Sequence, residues 1–254
     1  SAEVMSVKKN ASIIRPYSSV DENVFLRGVA TTIELSDFEI TAFVSQKNLD
    51  ANITSIDTLE DIEQIQVSSI QNTGIHNTVN SVIDKDAIGE LIYGGHIEYK
   101  KDFMNFGLTA VSTTFDGSLK RDLQLYNQFE FNSSKNTNIG FDYNMVYRNF
   151  NLFGEVSTSA NGGVAMLNGA LISLGEKASM SIVHRDYHKD YQSIYSEGFS
   201  EGSKVINEQG IYLGLELKPT RKWTISTYLD QFKFPWLRYQ VDAPSRGYEY
   251  LVQF

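Results

Sequence analysis

Residues able to do chemistry are sparse in this chain. His76, His96, His184 and His188 are its four histidines, and cysteine is absent. His184 and His188 flank Arg185-Asp186-Tyr187. Neutral imidazole is a common metal ligand. With no third ligand in view, however, a rim or loop pair is the simpler reading. Ser179, Ser181, His184 and Asp186 lie close together, as a Ser-His-Asp hydrolase would need. Strand alternation puts His184 on the face of Ala178, Met180 and Ile182, opposite both serines. A nucleophile and its base must come within hydrogen-bond reach, and the elbow pattern G-x-S-x-G is missing. No catalytic residue is expected. Asp57, Glu60, Asp61 and Glu63 offer oxygen ligands of the kind Ca²⁺ favours. They lack the Asp-x-Asp-x-Asp-Gly signature, so a solvated acidic loop is the simpler reading. Gly94, Gly95, Gly107 and Gly214 suit sheet curvature better than phosphate binding, and no phosphate loop or metalloprotease motif occurs. Neither a metal nor a cofactor is expected.

The elements that carry these residues are strands. Ile211, Leu213, Leu215 and Leu217 alternate with Tyr212, Gly214, Glu216 and Lys218. After Pro219-Thr220-Arg221-Lys222, Trp223, Ile225, Thr227 and Leu229 alternate with Thr224, Ser226, Tyr228 and Asp230. Side chains on a strand point to opposite faces with period two, whereas a helix would repeat apolar residues at spacings of three and four. The same period recurs along most of the 254 residues. The expected fold class is all-β: an antiparallel transmembrane β-barrel, one domain over 1–254, with short periplasmic turns and long extracellular loops.

Composition agrees with this without proving it. A net charge of −9 argues against a nucleic-acid surface. No run of about 18 apolar residues marks a transmembrane helix. Mean hydropathy of −0.26 is compatible with a barrel, because half of each strand faces lumen or solvent.

Taken in order, residues 1–23 show no period and read as a surface loop. Strands are expected from Val24 to Val44, then from Tyr93 to Ala110, then at Leu125–Phe131. Residues 48–90 form the longest non-strand segment, with a short helix around Ile83–Ile88, and 188–207 form a second long surface loop. Short turns are expected at 36–37, 101–102, 133–136, 175–176 and 219–221. The phase flips beyond Arg148-Asn149, and a bulge there would keep 137–158 a single strand and the short turns on one rim. About 11 strands result, part of a barrel of 12 or more. Even strand counts and periplasmic ends are usual for bacterial barrels, so at least one strand is expected before Ser1. The final run Tyr248, Tyr250, Val252 and Phe254 resembles a closing barrel strand, and it could equally be a truncation point.

The faces divide by chemistry. Ile211, Leu213, Leu215, Trp223 and Ile225 are expected to face lipid. Glu98, Glu130, Asp142, Glu216 and Asp230 are expected among small polar residues on the lumen side. Tyr93, Tyr99, Phe103, Tyr147, Trp223 and Phe232 sit near strand ends, as interfacial girdles do. A soluble β-sandwich or barrel would alternate too, with its oily face inward, and remains the alternative.

Three stretches are similar to a known family: Ser68-Ser69-Ile70-Gln71-Asn72-Thr73-Gly74-Ile75-His76-Asn77-Thr78, Asn149-Phe150-Asn151-Leu152-Phe153-Gly154-Glu155, and Gln231 to Tyr250. They resemble the barrel region of Bacteroidota-type outer-membrane proteins known for an N-terminal helix-hairpin-helix region. That region is absent here, so no DNA-related role carries over. The resemblance implies a diderm outer membrane and further barrel sequence upstream. The expected function is a transport pore or a membrane component of a larger envelope complex. The alternative is a plugged structural or interaction barrel. Expected partners are outer-membrane lipid or lipopolysaccharide and envelope proteins.

Overall fold

The computed structural model describes residues 4–8, 13–14, 25–59, 62–71 and 73–254, without the side chains of 56–59 and 62–64. Eleven strands form one antiparallel sheet. Its first half comprises β1 (Gly28–Leu35), β2 (Phe38–Leu49), β5 (Ile88–Lys101), β6 (Met104–Phe115) and β8 (Lys135–Tyr147). The second half comprises β9 (Phe150–Ser159), β10 (Val164–Gly175), β11 (Ala178–Tyr187), β12 (Glu208–Thr220), β13 (Trp223–Phe234) and β14 (Ser245–Gln253). Each strand pairs with the next in that order, leaving β1 and β14 as edges. Eleven alternating strands make the two edges run the same way, so an all-antiparallel closure would take an odd number of further strands between them.

Residues 48–90 are not the structureless segment expected. They hold β3 (Ala51–Leu59), β4 (Ile62–Ile70) and α1 (Val79–Ile83), a helix that starts earlier than predicted. With β7 (Ser118–Leu119) they build a second, three-stranded sheet, β3-β4-β7. Two register shifts, between Ala51 and Ile53 and between Ile53 and Ser55, break the period of two and hide β3 from a pattern search. Glu60 and Asp61 lie outside the described residues. Leu49, Ala51, Val67, Ile88, Phe115 and Leu119 form a buried apolar cluster at this end of the molecule.

Two further expectations are corrected. Leu125–Phe131 alternates yet forms turns, because Asn127 takes the Gln124 N–H on its side chain and the Glu130 N–H on its carbonyl. The 133–136 turn goes with it, since β8 already begins at Lys135. Residues 137–158 are a hairpin rather than one bulged strand, with Tyr147 paired to Phe150. The two errors offset each other in strand count. They leave Ser36-Asp37, Asp102-Phe103, Arg148-Asn149, Glu176-Lys177 and Arg221-Lys222 as short turns on one rim. The longer connections after β2, β6, β11 and β13 lie at the other.

One face of the large sheet is bare and apolar. Val44, Ile97, Leu108, Ile139, Phe141 and Val156 are all exposed on it. Exposed Phe38, Phe103, Tyr147, Phe150 and Trp223 flank the short turns, with Phe38 against Tyr99 at 5.1 Å and Phe103 against Tyr147 at 6.5 Å. The other face is covered by loop 188–207 and by residues 4–8. Val4 and Val7 are buried there, so this part of the N-terminal segment is not the surface loop expected.

Arg148 sits at φ 53°, a left-handed conformation that costs a side-chain-bearing residue about 1–2 kcal/mol. Arg148→Gly should therefore leave stability unchanged or raise it by up to about 1 kcal/mol. Arg148→Pro, with φ fixed near about −65°, should lower the urea midpoint in micelles. Equal midpoints for the two variants would rule out the hairpin.

Candidate functional site

The polar, covered face is where functional side chains converge. Its strongest feature is a buried ion cluster at Arg185 on β11. The Arg185 side chain is 0% exposed; its Nε donates to Glu208 Oε1 at 2.5 Å and its Nη1 to Asp230 Oδ1 at 3.0 Å. Register sets this up. Arg185 lies directly opposite Gly210 on β12, and a Cβ on Gly210 would fall 2.6 Å from the guanidinium carbon. Glycine there leaves the space through which Arg185 reaches β13. Both charges are removed from water, so each needs its partner.

The same cluster ties down the long loop. The Glu201 and Gly202 N–H groups donate to the Glu208 carboxylate at 3.0–3.1 Å. The Phe199 ring lies 5.4 Å from the Arg185 guanidinium and 5.2 Å from the ring of Tyr212. Tyr187 donates to the Phe199 carbonyl at 2.9 Å. Farther along, Tyr191 donates to Ser157 at 3.1 Å, and the Gln192 carbonyl accepts from Asn136 and Asn138 at 2.8 and 2.9 Å. Tyr195 reaches β5 and donates to Glu90. Burial and the adjacent Glu90 carboxylate push the Tyr195 phenol well above its ordinary range, so it stays a donor. The loop thus crosses from β11 to β5 over the covered face.

The loop rim is knitted together. Trp236 donates from Nε1 to the Leu125 carbonyl at 2.9 Å and packs edge-on to Phe129 at 5.3 Å. The Lys189 ammonium sits over both rings, at 4.3 and 4.6 Å. Glu130, expected on a lumen-facing strand, is in the 120–134 connection and pairs with Arg121 at 2.5 Å and Lys204 at 2.7 Å.

The other expected lumen residues lie on the covered face. Asp230 belongs to the Arg185 cluster. Glu98 pairs with Lys100 at 3.4 Å, and Glu216 pairs with Lys218 at 2.7 Å. Asp142 lies 3.9 Å from His96. Ile211, Leu213 and Trp223 are on the bare face, 50%, 39% and 60% exposed, while Leu215 and Ile225 on the same face are half-buried. Beneath the loop lies a cavity of about 480 Å³ walled by β2 to β11.

The chemistry weighed from sequence does not assemble. Ser181 is fully buried and donates to the Val4 carbonyl at 3.0 Å. His184 is exposed on the opposite face, and Asp186 accepts from Gln209 at 2.8 Å. Among the described residues, no group of three His, Cys, Asp or Glu side chains could hold a metal. Sequence reasoning missed Arg185, Glu208 and Tyr195. A lone arginine opposite a glycine, with an acid two strands away, was the available signal. No family model matches the chain, and no curated protein is significantly similar to it.

Arg185→Met should cost about 3–5 kcal/mol, because it leaves two buried carboxylates without a cation. Adding Glu208→Gln and Asp230→Asn should recover most of that loss. Urea unfolding of the single and triple variants measures both numbers.

Proposed function

We propose that this chain is the larger part of an outer-membrane β-barrel with a filled interior, serving as a membrane platform in an envelope assembly. The observation that carries the reading is the sense of its amphipathicity. A soluble sandwich buries its oily face and exposes its polar one. Here the oily face is bare, and the polar face holds buried charges, loops and the cavity. A bilayer is the environment that covers such a face while leaving the ladders to satisfy the backbone. The aromatic row beside the short turns suits an interfacial girdle, and the long connections on the opposite rim suit an extracellular side.

In this reading the gap between β1 and β14 is filled by an odd number of further strands. The resemblance to helix-hairpin-helix-associated barrels points the same way, as does an outer-membrane location. Lipid or lipopolysaccharide would cover the bare face, and protein partners would meet the folded rim. The filled interior favours a platform over an open pore. Loop 188–207 and residues 4–8 both occupy the covered face, each held by several hydrogen bonds.

Leu213, mid-strand and opposite Leu229, should tolerate Arg badly. Leu213→Arg should cost about 2–4 kcal/mol in bilayer-reconstituted protein, against about 0–1 kcal/mol for Gln231→Arg near the rim. Equal small costs would show that water, not lipid, meets this face.

In planar bilayers the intact protein should carry no steady current, and replacing residues 191–206 with a short Gly-Ser linker should open one. A steady current from the intact protein would establish a pore and end the platform reading.

A further inference from the structure

The cavity beneath loop 188–207 has the volume of a small-molecule site, which typically spans roughly 300–1,000 Å³, at about 480 Å³. Its walls are of two kinds. Phe43, Phe153 and Phe199 give it aromatic surface, and Asp142 and Glu155 give it charge. Asp142 and Glu155 are direct cross-strand partners on β8 and β9. Like charges so placed repel, and no lysine or arginine is paired with either among the described residues. Asp142 has only His96, at 3.9 Å. Glu155 has neither a hydrogen bond nor an ion pair there. Gly107, directly opposite Asp142, keeps the room clear, since a Cβ on it would meet Asp142 Oδ2 at 2.3 Å.

A second observation says what belongs in this room. The chain places one of its own ammonium groups there. Lys8, on the N-terminal segment, lines the cavity. Its Nζ donates to Asn144 at 2.6 Å and stands 5.7 Å from the centre of the Phe153 ring, within reach of a cation–π attraction. The segment is held near this place by Val4, whose carbonyl accepts from Ser181 and Tyr212 at 3.0 and 3.2 Å.

We propose that the cavity binds a cationic amphiphile, a primary ammonium on a small apolar body, and that Lys8 is the tethered cation such a ligand displaces. The ammonium would sit between Asp142 and Glu155, relieving their repulsion, and the apolar body would lie against Phe43 and Phe199. This holds whatever medium meets the bare face, so it does not depend on the platform reading.

Calorimetry with the purified chain, against matched micelle blanks, tests it with phenethylammonium, 2-phenylethanol and 3-phenylpropionate. The ammonium should bind saturably, the neutral alcohol roughly tenfold or more weakly, and the anion not at all. Glu155→Gln should weaken ammonium binding roughly tenfold or more, whereas Glu216→Gln, paired with Lys218 near the short turns, should not change it. Lys8→Met should tighten binding by removing the competitor, and it decides the matter if Glu155→Gln does not fold. Equal affinities for alcohol and ammonium, or no saturable binding by Lys8→Met, would overturn the proposal.

Discussion

Register is the constraint on which everything else in this molecule depends. Ten antiparallel ladders join eleven strands, and each fixes which side chains share a face. A slip of one residue anywhere would carry that strand's apolar set inward and its polar set outward. Arg185, Glu208 and Asp230 hold register from within. They lie on three successive strands and meet only if all three ladders are in phase. A slip of β12 alone would pull Glu208 off Arg185 and put Tyr212 and Gly214 on the bare face. Steric fit acts in the same sense: Phe153 lies directly opposite Gly169, where a Cβ would come within 2.3 Å of its ring.

The interior is built by connections rather than by strands alone. Loop 188–207 spans the covered face because its polar groups find partners on β5, β8 and β9 and its one deep aromatic, Phe199, packs on Arg185. Its backbone would otherwise be an unsatisfied burden. Above it, the small sheet and its apolar cluster make a dry cap from residues that a pattern search assigns to surface. The result is a two-part molecule: a large sheet with an unusual polarity of faces, and a conventional apolar core on one rim. The rim core explains why connections of such length hold a definite shape.

Most of the fold was legible because period two is a strong signal wherever ladders run unbroken. The hairpins at Leu35–Phe38 and Thr220–Trp223 follow from it directly. Legibility failed where that signal was interrupted or imitated. Bulges in β3 hid a strand. Leu125, Asn127, Phe129 and Phe131 imitated one, because their alternation comes from an Asn-capped pair of turns. At Arg148-Asn149 a phase flip has two causes, a bulge or a tight turn, and only the pairing of Tyr147 with Phe150 distinguishes them. Glu98, Asp142, Glu216 and Asp230 were placed by parity alone. What they touch was not legible, since Arg185–Asp230 spans 45 positions and Tyr195–Glu90 spans 105, and no local pattern reports such contacts.

The central claim is that the bare apolar face meets hydrocarbon while the charged face stays inside. The most direct test is labelling with a lipid-soluble photoactivated carbene in reconstituted vesicles, mapped by mass spectrometry. This account predicts label at Ile97, Ile139, Ile211, Leu213 and Leu229 and none at Ser181, Arg185, Glu208 or Asp230. Label spread over both faces, or confined to the loop rim, would contradict it.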